Sequence, residues 1–124
     1  MPAILRKTVA VAVAAAALAT PAAADAYSGD FRTPTGNIVC SFHTGYHGVL
    51  YCGVRSAGVS YFLNRRGYPS SYRGTRNMYP HRVLRYGNTL RAGSFACRSR
   101  FAGPRCTNRS GHGFFLSIQE RYRF

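Results

Sequence analysis

Beyond Lys7 this 124-residue chain contains no lysine, and it has no tryptophan at all. Acids are almost missing: Asp25, Asp30 and Glu120 are the three. The usual glycoside hydrolysis needs two positioned carboxylates. Asp25 and Asp30 fall in a polar N-terminal stretch expected to fray, so only Glu120 is a candidate. The nucleophile elbow G-x-S-x-G is absent. So are the phosphate-cradling patterns G-x-x-x-x-G-K-[ST] and G-x-G-x-x-G. After residue 24 no apolar run approaches the roughly 20 residues that span a bilayer.

What the chain does have begins with an export signature. Met1 to Lys7 ends in Arg6 and Lys7, a positive start. Thr8 to Ala19 is an apolar stretch of secretory length, too short to cross a membrane. Ala22-Ala23-Ala24 offers a cleavage site, and Ala24-Asp25-Ala26 a second one. Residues 1–24 are therefore read as a signal peptide and 25–124 as one exported domain. No cysteine follows the apolar stretch directly, which argues against a lipid anchor.

Fifteen arginines remain after the leader. A field of that size attracts nucleic acid, acidic polysaccharide or anionic lipid headgroups. Arginine also favours bidentate contact with phosphate or carboxylate and stacks on aromatic rings. The competing explanation is solubility and coding bias, since net charge speaks to steering rather than to fold.

Four cysteines in an exported chain point to two disulfides. Of the three possible pairings, Cys40–Cys52 with Cys97–Cys106 is favoured, because each pair brackets its own turn. A zinc site is the alternative. Cys40, His43, His47 and Cys52 spell C-x2-H-x3-H-x4-C, but the histidines fall in a glycine-bearing turn and the compartment is oxidising. No metal and no cofactor is expected.

Turn signals recur every 8–12 residues, as in an antiparallel all-β domain. Tyr27 to Thr33 reads as a polar lead-in. Pro34 to Asn37 is a turn, Ile38 to Phe42 a strand, Thr44 to Gly48 a loop and Val49 to Val54 the returning strand. Val59 to Leu63 is a further strand. Asn64 to Pro80 reads as a long Arg/Tyr-rich loop. Arg82 to Tyr86 is expected as a strand, Gly87-Asn88 with Ala92-Gly93 as turns, and Ser94 to Arg98 as the segment they lead into. Gly103-Pro104 and Asn108 to Gly111 turn the chain again. Phe114 to Ile118 is the last strand, followed by an aromatic-basic tail, Glu120 to Phe124. The fold class expected is a small, mostly β hairpin domain stapled by two disulfides.

The middle loop supplies the candidate anion-binding residues: Arg65, Arg66, Arg73 and Arg76, with Tyr68 and Tyr72 interleaved. Arginine fixes phosphate, while aromatics stack on bases or sugars. Tyr68, Tyr72 and Tyr79 are expected to be exposed; Tyr51, Tyr61, Phe62 and Tyr86 are expected in the core. Two alternatives come from other classes. The first is a metal-free ribonuclease using His112 as acid or base, with His81, His43 or His47 as partner, Glu120 as orienter and arginine stabilising the developing charge. Against it, a histidine between two glycines can equally serve a turn. The second is a cationic membrane-active factor, disfavoured by the lack of a long amphipathic stretch.

Two sets of motifs carry a family resemblance. The opening reads Thr33-Pro34-Thr35-Gly36-Asn37-Ile38-Val39-Cys40. The second half reads Tyr86-Gly87, Gly93-Ser94-Phe95-Ala96-Cys97-Arg98-Ser99, Gly103-Pro104-Arg105-Cys106-Thr107-Asn108 and Gly111-His112-Gly113-Phe114. From Phe31 to Phe124 the chain resembles an uncharacterised family of small secreted actinobacterial proteins, known only as a domain of unknown function. Members often carry a further cysteine pair in the middle, which this chain lacks. The resemblance implies export and a β domain built on glycine and cysteine. It implies no activity.

Overall fold

The computed structural model describes residues 28–124; the expected leader and both cleavage sites lie outside them. Ten strands form two five-stranded sheets. The first sheet takes β1 (Ser28–Arg32), β2 (Ile38–His43), β3 (Val49–Val54), β4 (Val59–Asn64) and β5 (Ser70–Arg73), in that order. The second takes β6 (Thr89–Ala92), β7 (Phe95–Ser99), β8 (Pro104–Thr107), β9 (Gly113–Leu116) and β10 (Arg121–Arg123), also in chain order. Every pairing is between sequence neighbours and antiparallel. No helix occurs among the described residues.

Alternation along the strands builds the core. Ile38, Cys40 and Phe42 of β2 share one face with Leu50, Cys52 and Val54 of β3 and with Tyr61 and Leu63 of β4. From the second sheet, Phe95, Cys97, Cys106, Phe114 and Leu116 join the same buried cluster. The two sheets thus stack through one core, and the Tyr61 and Phe114 rings meet across it at 5.6 Å. Side chains at the intervening positions point away from the core, so each sheet has an outer face.

Both disulfides lie in this core. Cys40 is bonded to Cys52 and Cys97 to Cys106. Each pair is directly opposed in its hairpin, with Cα atoms 4.1 and 4.0 Å apart. That short separation marks the close, non-hydrogen-bonded type of antiparallel pair. Both thiols of the C-x2-H-x3-H-x4-C pattern are consumed in the first bond, so it supplies no zinc thiolates.

Several expectations about the strands need correction. Tyr27 to Thr33 is not a simple lead-in: Ser28–Arg32 pairs along β2 over its whole length, and Asp30 sits within it. The Asn64 to Pro80 loop contains β5, which closes the first sheet's edge. Thr89–Ala92, which runs between and into the turns expected at Gly87-Asn88 and Ala92-Gly93, and Arg121–Arg123, expected as tail, are the two edges of the second sheet. Arg82 to Tyr86 is not a strand. It makes one parallel bridge, Arg32 to Val83, supported by Arg32 N–H donating to Arg82 O at 2.8 Å and Leu84 N–H donating to Arg32 O at 2.9 Å. This stretch carries the chain from the first sheet to the second, so it can touch the β1 edge only in passing. Leu84 is left buried in the core.

Candidate functional site

The outer face of the first sheet has a built feature that the sequence shows only in part. Tyr51 of β3 is 1% exposed although it faces away from the core. It is covered by the strap that follows β5. The Tyr51 hydroxyl accepts from Arg76 N–H at 2.8 Å and, with the Ser60 proton committed to the strap, shares its own proton with Ser60 Oγ at 3.1 Å. Ser60 Oγ donates to Gly74 O, on the same strap. Gly53 makes room for this arrangement: a Cβ there would stand 2.5 Å from Tyr51 Oη and 3.3 Å from Thr75 Cγ2.

Anchored by its backbone, Arg76 lays its guanidinium over two rings. Its Cζ lies 4.4 Å from the Tyr51 centroid and 5.5 Å from that of Phe62. Phe62 meets Tyr72 of β5 edge-on at 5.3 Å. A guanidinium stacked on a ring keeps its N–H donors in its own plane, directed sideways to solvent. The result is an open groove of about 630 Å³, lined by Tyr51, Phe62, Tyr72, Arg73 and Arg76 with polar Asn64 and Ser70. Asn64 also borders a second hollow, of about 510 Å³, whose walls include Arg65, Arg66, Arg109 and His47.

The six candidate anion-binding residues are therefore divided. Arg73, Arg76 and Tyr72 line the groove; Arg65 and Arg66 line the adjoining hollow. Tyr68 lies elsewhere, edge-on to His112 at 5.7 Å with the Arg123 guanidinium 5.4 Å above it. Arg109, in the β8–β9 loop, joins the hollow unannounced by the sequence, because a contact between two loops leaves no local pattern. Asn108 makes that contact. Its amide nitrogen donates to Asn64 O at 3.0 Å and Gly67 O at 2.9 Å, while its oxygen accepts from Ser110 N–H and His112 N–H.

Tyr68, Tyr72 and Tyr79 are each more than half exposed. Of the four aromatics expected inside, Tyr61 is in the core, whereas Tyr51 and Phe62 face outward beneath the strap and Tyr86 is 42% exposed against Phe101. Tyr86 cannot be buried because the linker that carries it turns at Gly87 on the surface.

The histidine-based arrangement finds its members apart. His112 precedes β9 and its Nδ1 lies 3.2 Å from the Phe124 carbonyl oxygen. Glu120 belongs to the turn after β9, where its backbone closes on Ser117. The two thus stand at opposite ends of one strand, roughly 15 Å apart along it. His81 lies in the linker between sheets and His43 at the end of β2. His47 lies with Arg65, Arg66 and Arg109 rather than with His112.

No curated protein and no solved structure matches the chain. Residues 52–124, from the middle of β3 through the whole second sheet, match the model of a family of unknown function, DUF6636. The match spans more than half of the chain, and the protein belongs to that family.

Proposed function

We propose that this protein is exported and binds anionic polymers or surfaces at the cell envelope through the outer face of its first sheet. The observation that carries the reading is Arg76, tethered by its backbone to the Tyr51 hydroxyl and stacked on an aromatic floor. Fixing a long cationic side chain in advance lowers the entropy lost on binding. Its guanidinium, which also reaches Ser41 Oγ at 3.5 Å, borders an open groove that runs by way of Asn64 toward Arg65, Arg66 and Arg109. Residues 28–124 hold two side-chain carboxylates, Asp30 and Glu120, against fifteen arginines. Most of the guanidiniums must therefore find their counter-ions outside the chain. Two disulfides in so small a domain agree with an oxidising destination.

Salt elution from heparin and DNA resins tests the reading. Arg73→Ser with Arg76→Ser should elute at clearly lower salt than Arg82→Ser with Arg85→Ser, which removes the same charge outside the groove. Equal elution of the two double variants would refute the groove. So would wild-type retention no stronger than that of an unrelated protein of equal charge.

A further inference from the structure

The opposite side of the molecule carries a different constellation. Register places Thr89, Arg98, Arg105, Phe115 and Tyr122 in one row across all five strands of the second sheet. At about 4.8 Å per strand the row is about 19 Å long. Arg98 and Arg105 are exposed and directly opposite each other. No acid stands beside either in the row. Like charges in directly opposed positions are unfavourable, so this register is kept at a cost.

The rest of the row is aromatic. Tyr122 stacks on Phe115 with centroids 5.3 Å apart and planes at 28°. It remains 44% exposed to solvent. Arg105 Cζ sits 4.4 Å over the Phe124 ring, and Phe124 in turn contacts Tyr122 at 6.1 Å. Arg105 is thus steadied on the Phe124 ring beside the row, and its guanidinium makes no hydrogen bond among the described residues.

We propose that this face binds single-stranded nucleic acid, with a phosphate on Arg98 and Arg105 and a base on Tyr122. It is a site separate from the groove of the first sheet and rests on that reading only in sharing its attraction to polyanions. Two adjacent guanidiniums supply several donors to one phosphate. An exposed aromatic ring two strands away supplies a stacking platform, which is how sequence-tolerant single-strand binders hold bases. A duplex would engage the arginines but hides its base faces. An acidic polysaccharide would engage the arginines without a base to stack.

Anisotropy of a labelled oligo-deoxythymidine, beside an abasic oligomer of equal length and charge, tests the assignment with the full exported domain. The thymidine oligomer should bind roughly five-fold tighter or more, the low end of a single stacked base. Tyr122→Leu, which keeps apolar packing on Phe115, should remove most of that gap. Arg98→Ser with Arg105→Ser should weaken both oligomers, and Arg73→Ser with Arg76→Ser should leave the gap intact. Equal binding of the abasic oligomer, equal competition by a heparin oligosaccharide, a gap that survives Tyr122→Leu, or binding indifferent to Arg98 and Arg105 would each overturn it. The gap reports on this face and resin elution on the other, so either reading can fail while the other stands.

Discussion

Arg98 faces Arg105 across the β7–β8 hairpin, one residue along from the Cys97–Cys106 bond. The disulfide closes the pair on the core side and the two guanidiniums share the outer side. Antiparallel pairs alternate in type, so the close cysteine pair makes its neighbour a hydrogen-bonded pair, with Cα atoms about 5.5 Å apart. A covalent staple therefore fixes two like charges as near neighbours.

Replacing Arg98 by Glu turns that repulsion into attraction. The domain should gain roughly 0.2–1 kcal/mol, raising Tm by about 4–8 °C for each kcal/mol gained. The gain should shrink in high salt, because the pair is exposed. Thermal melts at two salt concentrations check both halves; an unchanged melt at low salt would mean the arginines do not feel each other.

The staple and the charge pair should also be coupled. In the oxidised chain the bond keeps Arg98 near Arg105 even after unfolding, so much of the repulsion cancels between states. Cys97→Ala with Cys106→Ala lets them separate on unfolding. That double variant should lose about 2–3 kcal/mol through loop entropy. On that background Arg98→Glu should gain more than it does in the wild type. A double-mutant cycle by denaturant unfolding measures the difference, and strict additivity would contradict it.

Tyr51→Phe deletes only the hydroxyl that ties Arg76 to the first sheet. The cost should be about 1–2 kcal/mol, because the buried hydroxyl meets both Arg76 N–H and Ser60 Oγ and each such bond is worth about 1 kcal/mol. The sharper reading is local: amide exchange at Arg76 should accelerate well beyond that of neighbouring strand amides, because the strap lifts before the sheet opens. Uniform acceleration would mean that the hydroxyl stabilises the whole domain rather than the strap. Gly53→Ala should act in the same direction, since its methyl group would press on Tyr51 Oη.

The Asn108 side chain, 7% exposed, makes four hydrogen bonds: two reach across to Asn64 and Gly67 of the first sheet's side and two brace its own loop at Ser110 and His112. Asn108→Ala should cost roughly 2–3 kcal/mol, because two carbonyls and two amides lose a partner together. Asn108→Asp should be worse still, since it aims a carboxylate oxygen at Asn64 O and Gly67 O. Chemical denaturation ranks the pair; an aspartate variant more stable than the alanine one would show that the loops rearrange.

How much of this is legible in the sequence follows where the strands lie. The first hairpin announces itself because Ile38, Cys40 and Phe42 alternate toward a core and Val49–Val54 returns the pattern. Both disulfides follow from the turns they bracket. Of the strands that go unread, β1, β5, β6 and β10 are the four sheet edges, while the central β8 is masked by the Gly103-Pro104 turn signal at its start. An edge strand has one neighbour and much solvent, so Ser28–Arg32 needs only Phe31 inside and Ser70–Arg73 needs nothing fully buried. Polar residues there look like loop. The groove was half visible for a related reason. Arg73, Arg76 and Tyr72 stand out by composition, but Tyr51 and Phe62 look like core, and only the strap fixed by Gly74 and Arg76 shows why they face outward.

The order of the strands bears on how the molecule assembles. Because each strand pairs only with the one before and after it in the chain, both sheets can zip hairpin by hairpin with short loop closures, the regime in which folding is quick. The slow step is then the docking of two finished halves around Tyr61 and Phe114. If the protein is exported as proposed, amino end first, its first half would be complete and its first sulfur–sulfur bond closed before the second half arrives.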